Sequence, residues 1–429
     1  MLDEDLICVI DLGTTEIRAI IGTYNSRLNE FEIIAYSSVR SEGIKNGEII
    51  NVEALSNCIR DCISKIEDSL DITVYSSHVV VNAKNVKYVR SSSQILFYDK
   101  EGKIVEKEIT EKDVMTLMDK VKEEHFESGY VLSDVFISKY EISEGGKSDE
   151  GEEVDGNMID SPVGMSSNGL KVDFILSFMK EREYKKIIKS MEFANIEIKG
   201  IILQPVAVST FLLSKDDREI GTLLLNMGDS STDFVFWQGG KMKCISNLAV
   251  GGRHFTDDIL IACRLSSREE AENIKVNYVH FNFDNYNSDT FTISEEEEEE
   301  KRFVKTIVVD KAVKFRADDI FDAIENKFPC PGLKKNMNLI VLSGEASKMK
   351  DFKEFISEKF GVAVKRNLHT LKGVKLLVEG GGDVIDSKFI SALGGLKYVS
   401  NRKWGEMSMR KSRRLLPLEN FFKKIIFWR

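Results

Sequence analysis

The sequence predicts a layered α/β protein built as two lobes, and three observations carry that expectation. Residues 6–22 read as strand, tight turn, strand: LICVI, DLGTT, EIRAIIG. TLLLNMGDSSTDFVFW at 222–237 repeats that layout, with Gly13 and Gly228 placed 215 residues apart, about half the chain. Helix-like and strand-like segments alternate over much of the remainder, the signature of α/β layers. The length, 429 residues, is too great for one ordinary domain.

The elements follow in order. EALSNCIRDCISKIEDS at 53–69 has helical spacing, with Leu55, Ile59, Cys62, Ile63 and Ile66 on one side. HVVVNA at 78–83 reads as a buried strand. Residues 84–165 behave as an insert: a short helix near 111–123, strands around it, and the acidic loop GGKSDEGEEVDGN at 145–157. LKVDFILSFM then reads as a strand and EREYKKIIKSMEFA as a helix. Six consecutive glutamates, Glu295 to Glu300, mark another exposed loop.

Composition narrows the class. Hydrophobic residues make up 42% and charged residues 30%, a balance expected of a soluble, core-forming chain. Five prolines exclude a proline-rich linker architecture. No apolar run is long enough to span a bilayer. The acidic start, MLDEDLICVID, lacks the basic opening of a signal peptide, so secretion is not expected. The six cysteines are scattered and complete no metal set, so they are expected to be reduced, buried thiols. Net charge is −10, yet residues 400–429 carry nine Lys or Arg against Glu406 and Glu419. An acidic body argues against nucleic acid as the main partner, and a basic tail points to a separate task there.

The two hairpins have phosphate-binding chemistry. In DLGTT, Gly13 permits a sharp turn and leaves room for a phosphate to approach. Thr14 and Thr15 supply hydroxyls and adjacent N–H groups, which form an anion-binding concavity. Asp11 could hold a magnesium ion through water, because Mg²⁺ gives up its waters reluctantly. The second hairpin offers Gly228, Asp229, Ser230, Ser231 and Thr232. Two such loops facing each other can hold a nucleoside triphosphate between lobes. There is no GxxxxGK[ST], so a Walker-type site is excluded.

The order of motifs resembles the actin-like ATPase superfamily, and within it the FtsA family of bacterial division proteins. ICVIDLGTTEIRAIIG is similar to the first phosphate loop, SEGIKNGEIINVEAL to a family stretch reading SRGIxxGxIVNI, and SPVGM (161–165) to the NPVGM that closes the family's inserted subdomain. QPVAVSTFLLSKDDREIG resembles the approach to the second phosphate loop. NLAVGGRHFTDDI and AENIKV resemble the GGxxxTxDI and AExxK motifs, and IVLSGEAS occupies the adenosine-motif position.

The resemblance implies an actin-like two-lobed ATPase fold with an inserted small α+β subdomain and a C-terminal amphipathic helix. Residues 1–83 and 166–199 would form subdomain 1A and 84–165 the inserted subdomain 1C. Residues 200–249 and 326–398 would form 2A, and 250–325 would form 2B. Residues 399–416 would be a basic linker and 417–429 a membrane-targeting helix. ATP and Mg²⁺ are the implied cofactors. Asp11, Gly13, Thr14 and Thr15 would hold phosphate and metal, and Gly228 to Thr232 the other side. Glu272 and Lys275 would reach the ribose or base, and Ser343 and Gly344 would line the adenosine pocket. Gln204 sits where the superfamily orients a water. Arg316, in KFRADDIF, is similar to a family arginine near the site that receives the C-terminal tail of the tubulin-like FtsZ. Apart from the motif order, Glu272 and Lys275 read as an exposed helical ion pair.

Two departures bear on activity. The second loop reads NMGDSST, so Asn226 stands where the family has a carboxylate that helps hold Mg²⁺. The adenosine motif is Gly344-Glu345 instead of Gly-Gly. Glu345 facing a phosphate at about 5 Å would cost roughly 3 kcal/mol at an effective dielectric near 20. Alternatively it turns outward or lies along the ribose. The expectation is ATP binding with slow or absent hydrolysis.

The last thirteen residues, PLENFFKKIIFWR, form an amphipathic helix by their spacing. Leu418, Phe421, Phe422, Ile425, Ile426 and Trp428 fall in an arc of roughly 160°, with Lys423 and Lys424 opposite. Such a helix is about 20 Å long, too short to span a bilayer and suited to lie among anionic headgroups. The competing reading is a helix docked on the protein's own core or on a partner.

The function implied is an ATP-binding, self-assembling tether at the cytoplasmic face of the membrane, at the division site. It would anchor the FtsZ ring and recruit later division proteins through the insert. The alternatives are a PilM-like type IV pilus assembly protein, which normally lacks the terminal anchor, and a small-molecule kinase, for which no acceptor motif is present.

Overall fold

The computed structural model describes residues 6–125, 127–143, 157–281, 290–293, 302–327, 330, 333–366, 371, 373–377 and 386–410. The glutamate run Glu295–Glu300, nearly all of the 145–157 loop and the whole 417–429 segment lie outside them.

The first lobe opens with β1 (Ile7–Leu12), buried at every residue. It pairs antiparallel with β2 (Glu16–Asn25), which pairs antiparallel with β3 (Glu30–Arg40). The short hairpin of β4 (Ile44–Lys45) and β5 (Glu48–Ile49) leads into α1 (Val52–Leu70). Asn51 caps that helix: its Oδ1 accepts from the N–H groups of Glu53 and Ala54, each at 3.1 Å. The helical face predicted from Leu55, Ile59, Cys62, Ile63 and Ile66 is buried. β6 (Ser76–Val81) then runs parallel to β1.

The insert comprises β7 (Val86–Leu96), β8 (Lys107–Glu108), α2 (Glu111–Glu124), β9 (Tyr130–Ile142), β10 (Asn157–Ile159), β11 (Ser166–Ser167) and β12 (Gly169–Lys180). Its main sheet is antiparallel in the order β10-β9-β12-β7. Alternate residues Leu170, Val172, Phe174, Leu176 and Phe178 share a core with Val114, Leu117 and Val121 of α2. The insert is therefore longer than its expected end at residue 165. β12 pairs with β7 from Gly169–Leu96 to Met179–Val86, so the strand assigned by sequence to the first lobe belongs to the insert's sheet.

After α3 (Glu181–Phe193), β13 (Glu197–Leu203) runs parallel to β6, and α4 (Gln204–Leu212) follows. The second lobe begins with α5 (Lys215–Glu219), β14 (Thr222–Met227), β15 (Thr232–Gln238) and β16 (Lys241–Leu248), an antiparallel meander like the first. An outer portion carries α6 (Gly252–Cys263), α7 (Arg268–Tyr278), β17 (Thr290–Ile293), β18 (Arg302–Lys305) and α8 (Thr306–Lys327). Then come α9 (Leu333–Asn336), β19 (Leu339–Ser343), α10 (Phe352–Phe360), β20 (Ala363–Arg366), β21 (Val374–Leu376) and α11 (Ile390–Arg410).

The duplication seen in sequence reappears as topology. The first sheet runs β13-β6-β1-β2-β3-β21 and the second β16-β15-β14-β19-β20. In each, a three-strand antiparallel meander is extended by two parallel strands beside its first strand. β21 adds a parallel sixth strand to the first sheet.

One assignment to the second lobe needs correction. Residues 390–398, expected there within 326–398, belong to α11, whose Leu393 and Leu396 share a core with Val9, Ile20 and Val80 of the first sheet. α4, within 200–249, packs on both sheets: Ala207 joins that core, while Val206 and Val208 share another with Leu224 and Val235 of the second sheet. α11 also runs to Arg410, into the expected 399–416 linker. The cysteine expectation fails at one pair as well. Cys244 of β16 and Cys330 are disulfide-bonded with Cα atoms 5.7 Å apart, while Cys8, Cys58, Cys62 and Cys263 are buried and outside any disulfide.

Candidate nucleotide site

A cleft of about 460 Å³ opens between the lobes, within the range of small-molecule sites. The β1–β2 turn supplies Gly13, Thr14 and Thr15 to its wall, and the β14–β15 turn supplies Gly228, Asp229, Ser230 and Ser231. Gln204, Glu272, Lys275, Ser343 and Gly344 line the same space. Side chains drawn from five separate stretches of sequence thus converge on one cavity.

The two lobes touch beside it. Asn82, just past β6, donates from Nδ2 to Ser231 Oγ at 3.3 Å. Asn247 of β16 donates to the Ala83 carbonyl. The second hairpin is further fixed by the start of α6: the N–H groups of Gly252 and Arg253 donate to the carbonyls of Gly228 and Asp229 at 2.8 and 2.9 Å. A Cβ at Gly251 would lie 2.5 Å from the Gly228 oxygen, which is why glycine stands in the VGG segment.

Two predicted residues sit differently from the rest. Asp11 is buried behind the cleft wall, where its Oδ2 lies 3.6 Å from Arg18 Nη1. Burial raises its carboxyl to about 6, against the lowering effect of Arg18. Thr232 does not line the cleft; its hydroxyl donates to the Val250 carbonyl at 2.7 Å and holds the turn before α6.

On the adenosine side, Lys275 donates to Thr256 Oγ1 at 2.9 Å, to Glu272 Oε2 at 2.7 Å and to the Gly252 carbonyl at 3.3 Å. The same Glu272 oxygen accepts from Thr256 at 2.6 Å. The lysine is buried, so the pair is more than a solvent-exposed helical ion pair. Gly344 follows β19 directly, at φ +86°, and a Cβ there would lie 2.2 Å from the Met227 oxygen. Glu345 has a side chain 67% exposed and accepts from Lys348 Nζ at 2.7 Å. Glu345 nevertheless lines the cleft, its carboxylate turned to Lys348, which lines it too. Gln204 opens α4 and donates from Nε2 to Ser391 Oγ at 3.2 Å.

The sequence reading missed several lining residues: Arg18, Asn82, Asp233, Lys348, Lys388 and Ser391. Asp233 is the most consequential. It is 2% exposed, its Oδ1 has no partner, and burial raises its carboxyl to about 7, with Asn226 hydrogen-bonding it in the opposite sense. Arg18 likewise has a buried Nε without a partner, while its Nη2 donates to Glu16 at 2.7 Å. A signal existed for both: the hairpins are offset by 215, and that offset carries position 18 to position 233.

The residues present fit a magnesium–nucleotide pair. N–H-rich turns and the cations Arg18, Lys275, Lys348 and Lys388 suit a polyphosphate. The unpartnered Asp233 oxygen suits a hydrated divalent cation. Among the described residues, no group of three or more His, Cys, Asp or Glu forms a ready-made metal cage, and no helix is long and apolar enough to cross a membrane.

Arg316 lies away from the cleft. From α8 it grips Asp258 of α6 bidentately, Nε and Nη2 donating at 2.7 and 2.8 Å. Ile261, one turn beyond Asp258, and Phe315, beside Arg316, are 71% and 70% exposed.

Comparisons with known proteins converge on one family. The profile of the cell division protein FtsA matches residues 223–394. The cell division protein FtsA of Bacillus subtilis is 25% identical over 350 residues, covering 81% of this chain and 75% of that one. That of Pseudomonas aeruginosa is 22% identical over 410 residues, covering 95% and 92%. Among solved structures, the PilM–PilN type IV pilus biogenesis complex aligns at a TM-score of 0.60 and 13% identity over 93% of this chain and 99% of that one, a likeness of fold. The fold is mixed α/β and actin-like. The chain is thus similar, at low identity and over nearly its full length, to cell division proteins of the FtsA family, with the profile match confined to its second half.

Proposed function

We propose that this protein is an ATP-binding, self-assembling tether that holds FtsZ filaments to the cytoplasmic face of the membrane at the division site and helps recruit later division proteins. The observation that carries the nucleotide reading is the pair of hairpins with equivalent glycines, Gly13 and Gly228, on opposite walls of one cleft. In this reading the backbone N–H groups of Gly13 to Thr15 and Gly228 to Ser231 cradle the phosphates. Arg18 offers its guanidinium to them. Asp233, with Asp11 behind, holds the hydrated metal. Glu272 and Lys275 position the ribose or base, and Ser343 and Gly344 shape the adenosine pocket. Bound Mg²⁺ would supply charge neutralisation between phosphate oxygens.

Hydrolysis is slow or absent in this proposal. Asn226 replaces one carboxylate, and the Gln204 amide already donates to Ser391. Assembly would then report nucleotide occupancy more than turnover.

The outer portion of the second lobe would receive the FtsZ tail beside Arg316, where Ile261 and Phe315 leave apolar surface uncovered. The 417–429 helix would bind anionic lipid weakly on its own, and polymerisation would multiply that affinity. Co-sedimentation with anionic liposomes tests the whole reading, with and without ATP and with and without residues 417–429. Tail-dependent, ATP-enhanced binding is expected. Binding that persists without the tail would reject the anchor. Tail-dependent binding indifferent to ATP would reject the nucleotide coupling.

A further inference from the structure

The outer portion of the second lobe is one long excursion from its sheet. The chain leaves after Leu248 at the end of β16 and returns at Leu339, the start of β19. Everything from α6 to α8 lies between, including Glu272 and Lys275 on the cleft wall. The Cys244–Cys330 bond joins the outgoing strand to the incoming segment, 86 residues apart. It therefore closes the neck of the excursion.

We infer that Cys244 and Cys330 form a reversible thiol–disulfide site, exchanging with small-molecule thiols and disulfides, whose oxidation clamps the outer portion of the second lobe to its sheet.

Accessibility distinguishes Cys330 from the remaining cysteines. Cys244 is buried, whereas Cys330 is the one cysteine of the six that is only partly buried, so it is the side from which a thiol or disulfide would approach. Cys8 and Cys62 are the opposite case: burial pushes both thiols up, Cys62 to about 11, and keeps them protonated and inert.

The chemistry balances in two exchanges. The Cys330 thiol loses its proton to solvent, and the thiolate attacks one sulfur of an oxidised low-molecular-weight thiol, RSSR, expelling RS⁻. Cys244, also deprotonated, then attacks the Cys330 sulfur of the mixed disulfide and expels the second RS⁻. The two cysteine sulfurs are oxidised and one RSSR is reduced to two RS⁻. An excess of free thiol reverses both steps.

The mechanical consequence follows from where the bond sits. The incoming segment makes other attachments: the Leu333 N–H donates to the Cys330 carbonyl at 3.1 Å, the Asn338 N–H donates to Gly221 O at 2.8 Å, and Lys334 pairs with Glu325 at 3.1 Å. The first and last of these lie within the outer portion and its exit; what otherwise holds it to the sheet is a shared core, in which Phe255, Ile259 and Val313 pack with Leu225 and Phe234, and the bond adds a covalent tie at the neck. A covalent link removes openings in which the outer portion swings away from β16, and restricting so long a loop has a large effect on such states.

Limited trypsin digestion of the full-length protein, without nucleotide, tests this in three arms. These are protein oxidised with glutathione disulfide, the same protein reduced with dithiothreitol, and a Cys330→Ser variant under both conditions. Cleavage between residues 249 and 336 is expected to speed up roughly tenfold or more on reduction, with the first lobe unaffected. Cys330→Ser should behave like the reduced protein in both conditions, and glutathione disulfide should restore protection to the reduced wild type. Equal rates in both redox states would overturn the inference. So would faster cleavage throughout the chain, or both cysteines remaining alkylatable after the glutathione disulfide treatment.

Discussion

Asp233 stands opposite Asn226 in the ladder of the second hairpin, as Arg18 stands opposite Asp11 in the first. The carboxylate lost from position 226 has a counterpart one strand over, aimed at the same cleft. The two hairpins share geometry but not charge. The first pairs acid with base. The second leaves an acid with an unpartnered oxygen.

That asymmetry gives a pH-dependent expectation. The Asp233 carboxyl titrates near 7, so it is largely protonated at pH 6 and ionised at pH 8. Only the ionised form attracts a cation. The ratio of nucleotide affinity with Mg²⁺ to that with EDTA should therefore rise between pH 6 and 8. Asp233→Asn should flatten the rise. Titration of a fluorescent ATP analogue at each pH measures it, and a rise of equal size in the variant would remove Asp233 from the metal's surroundings.

The same group should weaken the nucleotide-free protein. Its folded value is raised above the unfolded one, near 3.8, so the folded state holds the proton more tightly between those values. Its contribution to stability is therefore lost as pH rises from about 4 to about 7. Asp233→Asn is expected to melt above wild type at pH 8, by an amount on the order of 2 kcal/mol, and to lose that advantage toward pH 5. Thermal melts across this range without ligand supply the check.

Arg18→Gln should cost nucleotide affinity by roughly tenfold to a hundredfold, since it removes a charge from the phosphate wall. It also leaves Asp11 buried without its cation, which should raise that carboxyl further above 6. Isothermal titration with ATP reads the first effect. The pH dependence of melting reads the second.

Glu345→Gly tests whether the departure from a Gly-Gly adenosine motif matters. The side chain is exposed and paired with Lys348, so restoring glycine should change ATP affinity less than about threefold. A gain near a hundredfold would mean that the carboxylate faces a phosphate in the complex. Gly344→Ala, one residue earlier, should behave very differently. Its Cβ would meet the Met227 carbonyl, and the backbone is in the left-handed region. A loss of about 1–3 kcal/mol in stability is expected by denaturant unfolding.

What the sequence disclosed was local. The hairpins were legible because glycine, hydroxyl residues and flanking β-branched runs leave a pattern that survives any packing, and the 215-residue offset tied the two together. The face of α1 was legible for the same reason. Pairings across long stretches of chain left no such trace. Nothing in GLKVDFILSFMK says that its partner strand is β7, so the insert was cut short at residue 165. Nothing in the residues of α11 says that it returns to cover the first sheet. Cys244 and Cys330 carry no spacing signature over 86 residues. Asp233 was overlooked because it reads as an ordinary strand residue until the register places it opposite Asn226.

The covering of the first sheet by α11 has a consequence for the order in which the protein can be made. β1 leaves the ribosome long before Leu393 and Leu396, which share its core. The second sheet runs from β14 to β20, within residues 222–366, and needs nothing earlier for its own strand pairing. During synthesis the second lobe can therefore close first, while one face of the first lobe waits, apolar and uncovered, for α11. A nascent chain stalled before residue 390 would expose Val9, Ile20 and Val80 to chaperones, and emergence of α11 would be the event that completes the lobe begun first.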